Sequence, residues 1–115
     1  MQEQEVINAL QNKLNYTAKN ISDIKIFING LLKANKKHNF ISKSTEKVIW
    51  HRHILDSAQL VKFIDFSKRS LSDLGSGAGF PGMILALFNN NKDFHVKLYE
   101  KSPVKRAFLM DISKK

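Results

Sequence analysis

Four of the five glycines in this chain fall within eight residues, at Gly75, Gly77, Gly79 and Gly82. The segment before them, Leu71-Ser-Asp-Leu74, reads as a short strand. The segment after them, Met83-Ile-Leu-Ala-Leu-Phe88, reads as a helix with Pro81 in its first turn, where a missing N–H costs nothing. Glycine lets the backbone turn sharply and come close to a ligand. The N-terminus of the following helix adds N–H groups that favour anionic or polar ligand atoms. Strand, glycine loop and helix in that order are the ground plan of nucleotide-type sites in α/β sheets. A tight turn with no ligand is the alternative, but the loop holds more glycine than a turn needs.

The rest of the chain divides around this loop. Before it, apolar residues recur at helical spacing. Val6, Ile7, Leu10 and Leu14 mark a first helix, and Thr17 is the expected N-cap of a second. That second helix carries Ile21, Ile24, Ile28, Leu31, Leu32 and Asn35 and is expected to end near Lys36-Lys37-His38-Asn39. Phe40-Ile41-Ser42 reads as a connector. A third helical stretch is expected to start at Ser44 or Thr45 and run through Val48, Ile49, Ile54, Leu55, Leu60, Val61 and Ile64, with a break near His51 where the apolar face shifts. After the loop, Asn89 to Asp93 is a turn. Phe94 to Glu100 alternates apolar and polar residues as a second strand, and Pro103 opens a helix with Val104, Phe108 and Ile112 on one face. The expected organisation is a helical region over 1–70 followed by a strand–helix–strand–helix unit over 71–115. A crossover helix between the strands makes them parallel.

Composition narrows the function classes. The chain has 115 residues, enough for one domain, and 43% are hydrophobic, enough for a packed core. It lacks cysteine, which excludes disulfides and thiol catalysis. The longest apolar run is six residues, Met83 to Phe88, too short to span a bilayer. The polar, acidic start is not a secretory signal, so a soluble cytoplasmic protein is expected. Lys and Arg number 19 against 10 Asp and Glu, a net charge of +9. Such a surplus suits a polyanionic partner. It also suits simple compositional drift, because 16 of the 19 basic residues are Lys and the chain is rich in Asn and Ile. The four histidines, at 38, 51, 53 and 95, show no zinc spacing, and no metal is expected.

The ligand of the loop follows from its acidic neighbours. Gly77-Ala-Gly-Phe-Pro-Gly82 fits the dinucleotide pattern G-x-G-x-x-G, but Gly77 lies three residues past Leu74, whereas that pattern begins directly after the strand. The other frame is Asp73-Leu-Gly-Ser-Gly-Ala-Gly79. An Asp at the strand end can accept hydrogen bonds from an ammonium group or from loop N–H groups, which suits S-adenosyl-L-methionine, a ligand with no pyrophosphate to repel it. Glu100, 25 residues after Gly75 at the end of the second strand, can hold both ribose hydroxyls. Asp73 as a cap or turn residue, Glu100 as an exposed strand-end charge, and a nicotinamide-dependent oxidoreductase remain the alternatives.

Three segments together resemble one bacterial family. They are Trp50-His-Arg-His-Ile-Leu-Asp-Ser57, Leu74-Gly-Ser-Gly-Ala-Gly-Phe-Pro-Gly82 and Lys101-Ser-Pro-Val-Lys-Arg-Ala-Phe-Leu109. They are similar to the small-subunit ribosomal RNA guanine-N7 methyltransferases, also called glucose-inhibited division protein B. The likeness extends to Leu32-Lys-Ala-Asn35 and Asn39, with Ala34 where the family usually has Trp and Phe40-Ile41 in place of Leu-Thr. It covers nearly the whole chain. The resemblance implies a Rossmann-like α/β methyltransferase with an N-terminal helical extension. It also implies transfer of a methyl group from S-adenosyl-L-methionine to N7 of a guanine in 16S rRNA, with the 30S subunit as partner. Carried over by position, Gly75, Gly77 and Phe80 line the cofactor pocket together with Ser76 and Gly79, and Asp73 and Glu100 are its acidic contacts. His53 and Asp56 either face the cleft or fasten the N-terminal helices to the sheet, and the fastening role is the one expected.

Guanine N7 is a lone pair with no proton to remove, so this chemistry requires alignment and exclusion of water rather than a general base. No catalytic acid or base is therefore assigned. Length is the point of tension. A sheet of about seven strands needs roughly 150 residues after position 70 at about 20–25 per βα unit, and 45 are present. The expectation is a truncated chain, natural or engineered, whose C-terminal strands are supplied by a complementing fragment or not at all. A non-catalytic basic RNA-binding or ribosome-assembly module is the alternative function.

Overall fold

The computed structural model describes residues 3–38, 40–67, 70–74, 79–89 and 94–113. Helix α1 spans Glu3–Lys13 and α2 spans Ala18–His38. The turn between them is set by local chemistry at both ends. Asn15 takes the left-handed conformation, φ 63°, which Asn tolerates better than most residues. The Tyr16 N–H then reaches back six residues to the Leu10 carbonyl at 3.0 Å, the closing bond of a Schellman motif. Two residues on, Thr17 Oγ1 accepts the Asn20 N–H at 3.1 Å and Asn20 Oδ1 accepts the Thr17 N–H at 2.9 Å. This reciprocal cap starts α2 at the expected place.

The third helical stretch departs from expectation at its start. The cap is Ser42, whose hydroxyl accepts the Thr45 N–H at 3.1 Å, and α3 is a single turn, Lys43–Glu46. The connector thus ends on a capping residue, and a start at Ser44 or Thr45 is corrected. Asn35, 3% exposed, holds the connector in place. Its carbonyl oxygen accepts the Ile41 N–H at 2.8 Å, and its amide donates to the Glu46 carboxylate. Replacing Asn35 by Ala leaves a backbone N–H and a carboxylate without these partners. We expect a loss of about 2–3 kcal/mol, measurable as a lower urea midpoint with an unchanged slope.

The expected break near His51 is a change of helix type. Residues Trp50–Leu55 form a π-helical turn, Asp56–Ala58 an α-helical turn (α4), and Gln59–Phe63 a 3-10 turn. The wider turn buries Ile54 and Leu55 and leaves His51 and Arg52 exposed.

The second half is a strand–helix–strand–helix unit. Strand β1 (Ser70–Leu74) pairs in parallel with β2 (His95–Tyr99), in the register Ser70 to His95 through Leu74 to Tyr99. Helix α5 (Gly82–Phe88) lies between them in sequence, and α6 (Pro103–Ser113) follows. The parallel pairing is as the crossover pattern requires.

A continuous core joins these elements. Val6, Leu10, Ile24, Leu31, Ile54, Ile84 and Leu85 are fully buried, and each such side chain contributes roughly 1.5–3 kcal/mol by leaving water. Helix α1 packs on the π-helical turn, α2 on α5 and α6, and α4 on α5. Two polar contacts fix α5 against the N-terminal helices. The buried Tyr16 hydroxyl donates to the Ile84 carbonyl at 3.2 Å, and Asn20 Nδ2 donates to the Leu87 carbonyl at 2.7 Å. The second bond satisfies a carbonyl in the last turn of α5, where intrahelical partners run out. Burial pushes the Tyr16 phenol pKa up, so it stays a donor at every ordinary pH.

Candidate functional site

The loop between β1 and α5 is where the site is expected, and its flanks are well defined. Gly75, Ser76 and Gly77 lie outside the described residues, as does Asn39. Gly79 and Phe80 are described, and both face inward rather than outward.

Gly79 is buried with φ +108°, a conformation that side-chain-bearing residues rarely adopt. A Cβ there would sit 3.1 Å from Leu109, 3.2 Å from Met83 and 3.3 Å from Phe27. Phe80 packs edge-on against Phe27 of α2, centroids 5.6 Å apart, and stacks on the His53 ring at 4.6 Å and 17°. The Arg-His-Ile-Leu-Asp-Ser segment and the glycine loop, about 20 residues apart in sequence, therefore meet ring to ring at His53 and Phe80. His53 fastens the helical half to the loop. Asp56 is exposed at the start of α4.

Asp73 and Glu100 sit at the carboxyl ends of neighbouring parallel strands. Asp73 is in register with Leu98, and Glu100 lies two residues beyond Leu98. Strand spacing and rise put their Cα atoms about 8 Å apart. Asp73 Oδ2 accepts the Gly82 N–H at 3.0 Å, at the first turn of α5. Glu100 Oε2 accepts the Ser102 N–H at 2.9 Å, at the start of α6, where Ser102 is the cap and Pro103 the first helical residue. Each carboxylate is thus tied to the helix that follows its strand. A backbone N–H on one oxygen orients each carboxylate. Gly82 makes the first of these ties: a Cβ there would lie 2.2 Å from Leu98 Cδ2 and 2.7 Å from Asp73 Oδ2.

Burial holds the His53 imidazole pKa below its ordinary value of 6.5, with the charge of Asp56 pulling weakly the other way. The unfolded chain therefore binds a proton at a pH where the folded chain does not. Stability is full above about pH 6.5 and falls as pH drops through the lower folded pKa. We expect His53→Phe, which keeps a ring on Phe80, to flatten that part of the stability profile. Thermal melts of both chains between pH 5 and 8 measure it.

Sequence reasoning missed the anchors of α5. No local pattern marks Tyr16 or Asn20 as an anchor, because their partners, Ile84 and Leu87, lie more than 60 residues away. Among the described residues no three His, Asp or Glu side chains converge as a metal site would need, and no helix is long and apolar enough to cross a membrane.

A parallel βαβ unit with glycines following the first strand in sequence and a carboxylate at the end of each strand has the layout found at ligand sites of α/β sheets. The family model described as rRNA small subunit methyltransferase G matches residues 20–115, and the chain belongs to this family. The ribosomal RNA small subunit methyltransferase G of Pelagibacter ubique (strain HTCC1062) is 41% identical over 104 residues, covering 87% of this chain and 49% of the relative. That of Rickettsia prowazekii (strain Madrid E) is 44% identical over 94 residues, covering 82% and 48%. That of Paramagnetospirillum magneticum (strain ATCC 700264 / AMB-1) is 35% identical over 105 residues, covering 91% and 50%. The chain spans about half the length of the curated relatives it matches. No solved structure matches it. The family resemblance read from the Trp50–Ser57 and Leu74–Gly82 segments is borne out.

Proposed function

We propose that the chain is the N-terminal part of a Rossmann-like methyltransferase unit that moves a methyl group from S-adenosyl-L-methionine to N7 of a guanine in small-subunit rRNA. The observation that carries this reading is the pair of carboxylates at adjacent strand ends, each oriented by a backbone N–H, beside Gly79, whose backbone conformation favours glycine. These residues suit the cofactor chemically. Asp73 is placed to accept from an ammonium group, and Glu100 from ribose hydroxyls. Two carboxylates also suit a ligand of positive charge. Gly75, Ser76, Gly77, Gly79 and Phe80 would form the loop beside it, with Phe80 turned to the core as the brace that holds the loop still.

The sulfonium supplies an activated methyl when bound. The chain's own share is then positioning. Asp73 and Glu100 hold two ends of the cofactor, and the Phe80–His53–Phe27 packing keeps the loop from moving. Guanine N7 needs no base, so no residue is asked to move a proton. The relatives run on for about as many residues again, and we assign the remaining strands to that part, whether it follows in the same chain or comes from a complementing one. The proposed partner is rRNA in the 30S subunit, and the proposed location is the cytoplasm.

The test is a chimera in which residues 1–115 are followed by the C-terminal half of the Pelagibacter relative. It should transfer labelled methyl from S-adenosyl-L-methionine to small-subunit rRNA. A folded chimera that binds the cofactor but labels no rRNA would overturn the reading and favour an assembly module.

A further inference from the structure

The positive charge is not spread evenly. Residues 18–52 carry eight Lys and Arg against two acidic residues, +6 of the chain's net +9. Both acids are engaged locally: Asp23 pairs with Lys19 at 2.9 Å, and Glu46 accepts from Asn35. Lys25, Lys33, Lys36 and Lys37 are exposed and form no ion pair among the described residues.

These four lysines share the solvent face of α2. Lys25, Asn29, Lys33 and Lys37 follow one another at four-residue steps, the spacing that stacks side chains on one helix face. The row is about 18 Å long at 1.5 Å per residue. Lys36 lies one step to its side. Lys25 and Asn29 of the row line a groove of about 440 Å³ together with Lys47 and Trp50, with Glu3 and Glu46 as the acidic members of the wall. Lys36 and Lys37 also complement the dipole at the C-terminus of α2. Lys25 and Lys33 lie outside that turn, and neighbouring lysines four apart repel each other slightly. Folding gives no reason for the row.

We propose that this face of α2, Lys25, Lys33, Lys36 and Lys37 with Lys47 beside it, is the surface that docks the phosphate backbone of RNA. It rests on the methyltransferase reading for the identity of the polyanion. An 18 Å row spans on the order of five nucleotide steps of one strand at about 3.4 Å each. A membrane fits less well. Surface-bound helices insert an apolar face, and the apolar face of α2, including Ile21, Ile24, Phe27, Ile28 and Leu31, is already buried in the core.

The test is fluorescence anisotropy of a labelled RNA hairpin with the 115-residue chain, titrated over a range of salt. Wild type should bind, with affinity falling steeply as salt rises. The quadruple variant Lys25→Gln, Lys33→Gln, Lys36→Gln, Lys37→Gln should keep its circular dichroism spectrum. Its log–log salt slope should be shallower by about 3–4, at about 0.9 per lost phosphate contact, and its affinity at low salt at least about a hundredfold weaker. The triple variant Lys101→Gln, Lys105→Gln, Arg106→Gln should keep the wild-type slope. An unchanged slope in the quadruple variant, a loss confined to the triple variant, or binding to phosphatidylserine vesicles in place of RNA would each overturn the proposal. Cofactor titration on the same preparation separates the two readings. Cofactor binding without RNA binding overturns this surface alone, and RNA binding lost with the four lysines together with a folded chimera that binds no cofactor overturns the methyltransferase reading alone.

Discussion

Replacing Gly82 by Ala is expected to cost about 3–5 kcal/mol, enough to unfold much of the β1–α5–β2 unit. The added Cβ meets Leu98 Cδ2 at 2.2 Å, Asp73 Oδ2 at 2.7 Å and Asp73 Cβ at 3.1 Å. The leucine methyl can rotate away and the Asp73 carboxylate can swing aside at the cost of its bond to the Gly82 N–H, but Asp73 Cβ is fixed to the strand, so helix and strand must also separate slightly. Overpacking of this kind costs about 1–3 kcal/mol. The hydrogen bond from the Gly82 N–H to a charged carboxylate adds about 1.5–3 kcal/mol when it is pulled apart. Against a total of about 5–15 kcal/mol the loss is severe. Urea unfolding followed by circular dichroism measures it, and a cost below about 1 kcal/mol would show that the helix does not approach the strand this closely.

Truncating Phe80 to Ala is expected to cost about 2–4 kcal/mol, in the lower part of the range for core aromatics because Phe80 is half-buried. The ring touches Phe27 on one side and His53 on the other, and both contacts vanish together. A second consequence separates this from ordinary cavity formation. With Phe80 gone, His53 is opened to water, and the acid-side loss of stability assigned to it should shrink. A double-mutant cycle with His53→Ala should give a coupling of about 0.5–1.5 kcal/mol. Additive effects would mean that the stacked pair does not hold the loop to the helices.

The parts of this fold legible in the sequence are those set by local patterns. Thr17 as a cap, the alternation over residues 94–100 and Pro103 after a serine each specify their element within four or five residues. What was not legible depends on partners distant in sequence. The resemblance makes Phe80 a pocket-lining residue, but the packing of its ring on Phe27 and His53 is not written in its neighbours. Ser42 looked like connector because its role appears only when the Thr45 N–H is seen to need an acceptor. The π-helical turn at Trp50–Leu55 shifts the apolar face by one residue, which periodicity registers as a break without saying what replaces it. Asp73 and Glu100 were visible as strand-end carboxylates. Their ties to the Gly82 and Ser102 N–H groups were not, because a helix start can satisfy its N–H groups in many ways. Those ties also mean that simple deletion of either carboxylate would confound cofactor binding with folding.

Calorimetric titration of S-adenosyl-L-methionine into the chain, its Asp73→Asn variant and its Glu100→Gln variant avoids that confusion. Each amide keeps an oxygen to accept the helix N–H but loses the negative charge and acceptor capacity the cofactor requires. The account predicts binding by the wild-type chain, affinity about 10–100-fold weaker in each variant, as expected for hydrogen bonds to a charged group, and melting temperatures close to wild type. A folded wild-type chain that takes up no cofactor, or variants that bind as tightly as wild type, would contradict it.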